Sequence, residues 1–199
     1  MAAQSGKTER KSQREKIVRA TAQLLRQRGY AATGLSDIIE SSGAPKGSLY
    51  YYFPGGKDDI AVEALRYAGG KVQATLSDLV RQEETTAGVL RRYAALVAGW
   101  MANSKFRDGC PIATTLLETA AEKSRIAEAG RSAFESWTGV LREKLVQEGI
   151  AQSRAETLAR LAIIALEGAL IIARVEADAT PIISAMDEVA AMMEREAVR

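Results

Sequence analysis

No histidine occurs among the 199 residues, and there is one cysteine, Cys110. The first absence removes His-activated serine or cysteine nucleophiles, zinc sites that use imidazole and the commonest general base. The second leaves no intrachain disulfide and suits a reducing compartment. Carboxylate or lysine chemistry survives these exclusions. The residues that stand out as a group are Lys46, Gly47, Ser48, Tyr50, Tyr51 and Tyr52, a run broken only by Leu49, with Ser36 upstream and Lys57 downstream. Lysine, serine and tyrosine hydroxyls can reach base edges or phosphate oxygens, glycine lets a backbone come close, and a helix N-terminus attracts phosphate. Three successive tyrosines cannot share one face of a helix, so one is expected to be buried and two to face a nucleic acid; packing of all three rings in a core is the other use of such a run.

These residues need short helices to present them. Ser12 and Glu15 have the spacing of a capping box, followed by Ile17, Ala20, Thr21, Leu24 and Leu25 on one helical stripe that Gly29 ends. A second helix carries Leu35, Ile38 and Ile39 inward and stops at Ser41-Ser42-Gly43; a third follows Pro45, buries Leu49, and is interrupted by Pro54-Gly55-Gly56. Two short helices joined by a glycine turn and braced by a longer one make a helix-turn-helix, whose second member fits a DNA major groove. Charge agrees: residues 1–53 carry nine Lys or Arg against four Asp or Glu, net +5, whereas the remainder is net −3. A basic head on an acidic body suits a polyanion-binding module, although a solvated basic helix has the same composition.

The run Lys46-Gly47-Ser48-Leu49-Tyr50-Tyr51-Tyr52-Phe53 with Lys57, together with Gly29-Tyr30, Thr33, Ser36-Asp37-Ile38 and Ser42-Gly43-Ala44, resembles the DNA-binding domain of TetR-type transcriptional regulators over about residues 12–65. Pro54-Gly55-Gly56 makes the link to Lys57 one residue longer than usual, and Gly34 stands where threonine is common. That longer link, with Asp108-Gly109-Cys110-Pro111 and Leu117-Glu118, resembles the branch typified by the lincomycin-resistance repressor LmrA. The resemblance implies DNA contacts from Ser36, Lys46, Gly47, Ser48, Tyr50, Tyr51 and Tyr52 and a phosphate contact from Lys57. It implies an all-α fold, with a helix-turn-helix domain at residues 1–57 and an effector-binding and dimerisation domain at 58–199. The partners implied are double-stranded DNA with a palindromic operator, a second copy of the chain and a small-molecule inducer, with repression as the default sense of regulation.

Periodicity places further helices at about Asp58 to Arg81, Thr86 to Ser104, Pro111 to Ala121, Ser124 to Glu148, a Ser153/Glu156 capping box to Ala177, and from Thr180 as cap with Pro181 first. The segment Leu161 to Ala173 is apolar nearly all round apart from Glu167, which points to burial on two sides and to a two-fold interface through Ala162, Ala165, Gly168, Ala169 and Ile172, completed by Met186 and Val189 of the last helix. The alternative is the central helix of a monomer. Trp100, Met101, Phe106, Cys110, Leu117, Glu118, Phe134 and Trp137 are the candidate lining of a ligand pocket, though such residues also fill cores. Glu167 is expected to be buried with a structural partner, such as an arginine (Arg160 or Arg174) of a second subunit, or water; Cys110 is a candidate sensor thiol or a small buried hydrophobe. Gly69 and Gly70, adjacent in one helix, suit either a bend or close packing.

No metal site or cofactor is expected, no segment is long and apolar enough for a membrane span, and the charged, non-apolar N-terminus predicts a cytoplasmic protein. A helical enzyme or small-molecule carrier with an incidentally basic N-terminus is the reading from another class.

Overall fold

A computed structural model of the chain describes residues 2–121 and 124–197, with 2–12 and 197 described by backbone alone. Among these residues the chain is all-α: α1 (Ala2–Arg28), α2 (Leu35–Ser42), α3 (Lys46–Tyr52), α4 (Lys57–Gln82), α5 (Thr86–Asn103), α6 (Pro111–Thr119), α7 (Arg125–Gln147), α8 (Gln152–Glu176) and α9 (Thr180–Ala197). None of the described helices is long and apolar enough to cross a membrane.

Three expected helix starts are corrected. α1 is already helical well before Ser12, in a stretch rich in the helix formers Ala, Gln, Lys, Glu and Arg; the side chain of Ser12 lies outside the described residues. α8 starts at Gln152 after Ala151, with no side-chain cap, because Glu156 is taken by Arg142 at 3.2 Å and Arg160 at 2.8 Å. At α9 the capping oxygen belongs to Asp178, which accepts from both the backbone N–H and the hydroxyl of Thr180 at 3.0 Å; those bonds hold its carboxyl below the usual range.

Packing divides the chain into two compact units that interleave in sequence. One comprises the residues up to Gly69 together with Pro111–Arg131; the other comprises Gly70–Cys110 and the residues from Ser132 onward. The head thus takes in the first half of α4 and all of α6, beyond the 1–57 segment. Its core joins Ile17, Val18 and Leu24 of α1 to Ile38, Ala44, Leu49, Phe53 and Ile60, all nearly inaccessible to solvent. Gly43, at φ 61°, makes the turn between α2 and α3 and returns its N–H to the carbonyls of Ile39 and Glu40. Gly34 precedes α2, and its N–H donates to Asp37 at 2.9 Å.

In the second unit α9 packs against α5 and α8. Ion pairs line this packing: Arg91 of α5 with Glu194 and Asp187 of α9, and Arg154 of α8 with Glu196 of α9 at 2.8 Å. Thr85 caps α5 by accepting from the Gly88 N–H at 3.1 Å, and Glu148 takes both donors of the fully buried Thr86 at 2.6 Å. The helix is thereby held at its first turn from the end of α7.

α4 runs without a break through Gly69 and Gly70, and a Cβ built on Gly70 meets nothing within 4 Å. Close packing is therefore not the reason for this glycine. Gly70→Ala is expected to raise stability by about 0.5–1 kcal/mol, the cost of glycine in a helix interior. Denaturant unfolding checks it; a destabilised variant would mean that the added methyl group meets a neighbour after all.

Candidate nucleic-acid interface

α3 is a seven-residue helix fixed by one side chain. Leu49 is fully buried, and Phe53 at its C-cap is nearly so; the N–H of Phe53 closes on the Leu49 carbonyl at 2.9 Å. With Leu49 facing the core, Lys46, Gly47, Tyr50 and Tyr51 come out exposed on the opposite side, Tyr50 at 50% and Tyr51 at 68%. Tyr52 turns inward, packed against the head core and edge-on to both Tyr51 (5.0 Å between centroids) and Phe53 (6.4 Å). One ring inward and two outward is the division the helical spacing predicts, and it leaves Tyr52 supporting the exposed rings. Ser48 is half-buried, and Ser36 is exposed on α2.

Lys57, at the start of α4, lies beside the turn that follows α1. Its ammonium is 4.1 Å from the centroid of the Tyr30 ring and 3.4 Å from the Ala31 carbonyl. The Tyr30 hydroxyl donates to Asp58, and Asp59 accepts from the Gly55 N–H at 2.8 Å and from Arg125 at 2.7 Å, which hold its carboxyl below the usual range. Tyr30, Asp58, Asp59 and Arg125 brace the link around Lys57 and were not anticipated; the Gly29-Tyr30 pair was the one local signal.

The expected pocket residues separate. Leu117 and Glu118 belong to α6 in the head unit: Leu117 is 80% exposed, and Glu118 accepts from the backbone N–H groups of Tyr30 at 3.1 Å and Ala31 at 2.5 Å. The remaining six lie in the second unit. Trp137 is buried and, with Leu76, Leu90, Tyr93, Leu141 and Leu166, lines an apolar cavity of about 10 Å³, room for one water-sized molecule at most. Phe134 stacks edge-on against Trp137 at 5.3 Å, Trp100 is half exposed against Tyr93 at 6.2 Å, and Met101 is buried. Phe106 closes α5 with its N–H on the Met101 carbonyl at 2.8 Å; it and Lys105 have φ 57° and 54°, a left-handed conformation costing about 1–2 kcal/mol for a residue with a Cβ.

The expected interface residues separate as well. Ala162, Ala169, Met186 and Val189 are buried within the protomer, because the inward side of α8 packs on α9 and α5. They offer no surface to a second copy. The outward side of α8 carries Gly168 and Ile172 from the expected set, half-buried Ala165, and also Ile164, Ile171 and Val175, of which Val175 is 81% exposed.

Glu167 of α8 is the acid that burial perturbs most. Burial pushes its pKa up to about 7, against a smaller opposing effect of a hydrogen bond from the Cys110 thiol. Cys110 is thus the partner of this carboxyl, and Arg160, one of the arginines considered for that role, pairs with Glu156. In the unfolded chain Glu167 titrates near 4.5. Between that pH and about 7 the folded state binds the extra proton, so this residue's contribution to stability falls as pH rises through the window. The full penalty, on the order of 3 kcal/mol, is present above pH 7. Glu167→Gln is expected to flatten this fall and to be the more stable protein at pH 8, as measured by denaturant unfolding at pH 5 and pH 8. Identical pH profiles for parent and variant would put the carboxyl in water.

Residues 17–64 match the N-terminal domain of bacterial regulatory proteins of the tetR family, and residues 86–188 match the C-terminal domain of LmrA/YxaF-like transcriptional regulators. The chain is similar to the HTH-type transcriptional regulators YxaF (30% identical, over 94% of this chain and 98% of that protein) and LmrA (32%, 85% and 90%) of Bacillus subtilis. A TetR transcriptional regulator from Chloroflexus aurantiacus superposes with a TM-score of 0.77 at 25% identity, over 95% of this chain and 98% of that one. The members of this family are regulators of transcription and not enzymes. The chain belongs to the TetR family of DNA-binding transcriptional regulators, in its LmrA/YxaF-like branch.

Proposed function

We propose that the protein is a dimeric repressor that holds a palindromic operator and is released from it by a small-molecule inducer. The observation that carries the reading is the outer face of α3, where Lys46, Gly47, Tyr50 and Tyr51 stand exposed on a helix anchored through Leu49. Gly47 sharpens it. A Cβ at this position would meet nothing within 4 Å in the chain, so the fold itself has no use for a glycine in a helix this short. A surface that must let a phosphate backbone approach does. Lys46 is the candidate for base readout, Ser36, Ser48, Tyr50 and Tyr51 for polar contacts beside it, and Lys57 for a phosphate.

The dimer is proposed through the outward side of α8. Ile164, Ile171, Ile172 and Val175 form an exposed apolar ridge, and a Cβ on Gly168 in its middle would meet nothing within 4 Å, leaving room for a second helix to approach. Two heads related by a two-fold axis would meet one face of a duplex about 34 Å apart, or a multiple of it, which is why the operator is read as a palindrome. The inducer is proposed to enter the second unit at the apolar cavity beside Trp137. At its present volume the cavity must open for any ligand, so the inducer favours the opened form. Emptying the operator from 99% to 1% of the binding-competent form needs about 10⁴-fold preference for the other form.

Lys46→Ala is expected to relax preference at one base pair by about 1–3 kcal/mol, read by gel shift on operator variants recovered by selection from genomic DNA. Gly47→Ala should do the opposite to the two halves of its role, raising thermal stability while weakening DNA binding; unchanged DNA affinity for both variants would remove α3 as the reading helix. Gly168→Arg is expected to yield monomers that lose operator binding, and sedimentation of an intact dimer would move the interface off α8.

A further inference from the structure

The turn between α1 and α2 is held from two sides by residues far apart in sequence. From α6, one carboxylate, Glu118, accepts from two successive backbone donors, the N–H groups of Tyr30 and Ala31. From the other side the same two residues hold Lys57, the Ala31 carbonyl accepting from its ammonium at 3.4 Å and the Tyr30 ring lying 4.1 Å beneath it. The Tyr30 hydroxyl is bonded in turn to Asp58, which anchors the far end of that ring. Carbonyl and ring are neutral partners; they orient an ammonium without cancelling its charge, so it remains able to meet an anion.

The sequence makes room for this arrangement. Gly29 has φ 79°, and a Cβ there would overlap Glu118 Oε1. A side chain at position 29 would be strained by the backbone conformation, and its Cβ would push the Glu118 carboxylate aside. One helical turn before Glu118, the Thr114 hydroxyl donates to the Leu25 carbonyl at 2.8 Å, so α6 grips the end of α1 at two successive points. A lysine free on its stem gives up rotamer entropy on being fixed; one already cradled gives up less when it meets DNA.

We propose that Glu118 is a positioning residue for DNA binding: by holding the Tyr30 and Ala31 N–H groups from α6, it fixes the turn whose carbonyl and ring set the Lys57 ammonium against a phosphate. This rests on the reading of Lys57 as a phosphate contact. α6, which lies within the C-terminal match to LmrA/YxaF-like regulators, thereby becomes part of the DNA-binding apparatus of the head.

The test is a double-mutant cycle on the full-length protein with a mixed-sequence duplex of about three helical turns, since a phosphate contact does not depend on base sequence. Lys57→Ala is expected to weaken binding and to reduce the dependence of log affinity on log salt by about 0.9 for each phosphate that is no longer neutralised. Glu118→Gln, which puts an N–H₂ where one N–H now finds an oxygen, should reproduce much of both effects, and the double variant should bind no more weakly than Lys57→Ala alone. Thr114→Val loosens α6 without touching the cradle, so it should lower the melting temperature and leave the salt slope as it was. Fully additive losses, or a Glu118→Gln protein with the parent's slope while Lys57→Ala shows a reduced one, would overturn the positioning role and spare the reading of Lys57. An unaffected Lys57→Ala would overturn both. Should Glu118→Gln fail to fold, Glu118→Asp, which keeps the charge but draws the carboxylate back from the two N–H groups, takes its place in the same cycle, with the same outcomes deciding.

Discussion

Two helices of eight and seven residues carry the exposed side chains proposed to meet DNA, and neither is long enough to persist in water by itself. What holds them is burial of Ile38 and Leu49 against Ile17, Val18 and Leu24 of α1 and Ile60 of α4. Each such side chain contributes about 1.5–3 kcal/mol by leaving water, against about 0.5–1.5 kcal/mol net for a single hydrogen bond. The orientation of the exposed face follows from this burial. Once Leu49 is directed inward, Lys46, Gly47, Tyr50 and Tyr51 have only the outward direction left, and Tyr52, next to the buried Phe53, has only the inward one.

The same unit is built across long stretches of chain. α6 is attached to the end of α1 by Thr114 and Glu118, and Arg125 reaches Asp59 beside the link that precedes α4. Side chain to backbone bonds of this sort are directional in a way that apolar packing is not. A carboxylate on two successive N–H groups tolerates little displacement, whereas the aliphatic contacts of the core tolerate repacking. The second unit relies on different devices: a largely apolar α8 packed on α9 and α5, ion pairs of Arg91 and Arg154 along α9, and a carboxyl, Glu167, kept in apolar surroundings with a thiol as its partner. An acid held that way destabilises its own fold at neutral pH, since its charged form is the one burial penalises.

Much of the helical plan is legible in the residues. The stripes Ile17, Thr21, Leu24 and Leu25, the stops at Gly29, Gly43 and Gly149, and Pro111 at the start of α6 each act within a few positions of themselves, so a helix and its end can be read from neighbours alone. The exposure of Tyr50 and Tyr51 follows by the same reasoning from helical spacing. Capping was less legible. The Ser153/Glu156 pair has the right spacing, yet Glu156 is drawn to Arg142 and Arg160, and Asp178 takes the role expected of Thr180; competition for a carboxylate among cations and N–H groups is decided by distances that no local pattern contains.

The division of labour on α8 and α6 shows the same limit from the other side. An all-apolar helix announces burial on two sides, but Ala162 and Ala169 face the protomer's own core while Gly168 and Ile172 face outward, and which is which depends on where α9 lies. The sequence marks Glu118 but not its partner, which is named only when the fold brings it 88 residues back along the chain to the Tyr30 N–H. Helix periodicity, turn chemistry and the inward face of each helix are properties of a few successive residues and are present in the linear chain. The partner of a carboxylate, the grouping of α6 with the N-terminal helices, and the free side of α8 arise only when distant segments compete for the same contacts, and that competition is settled by the packed chain as a whole.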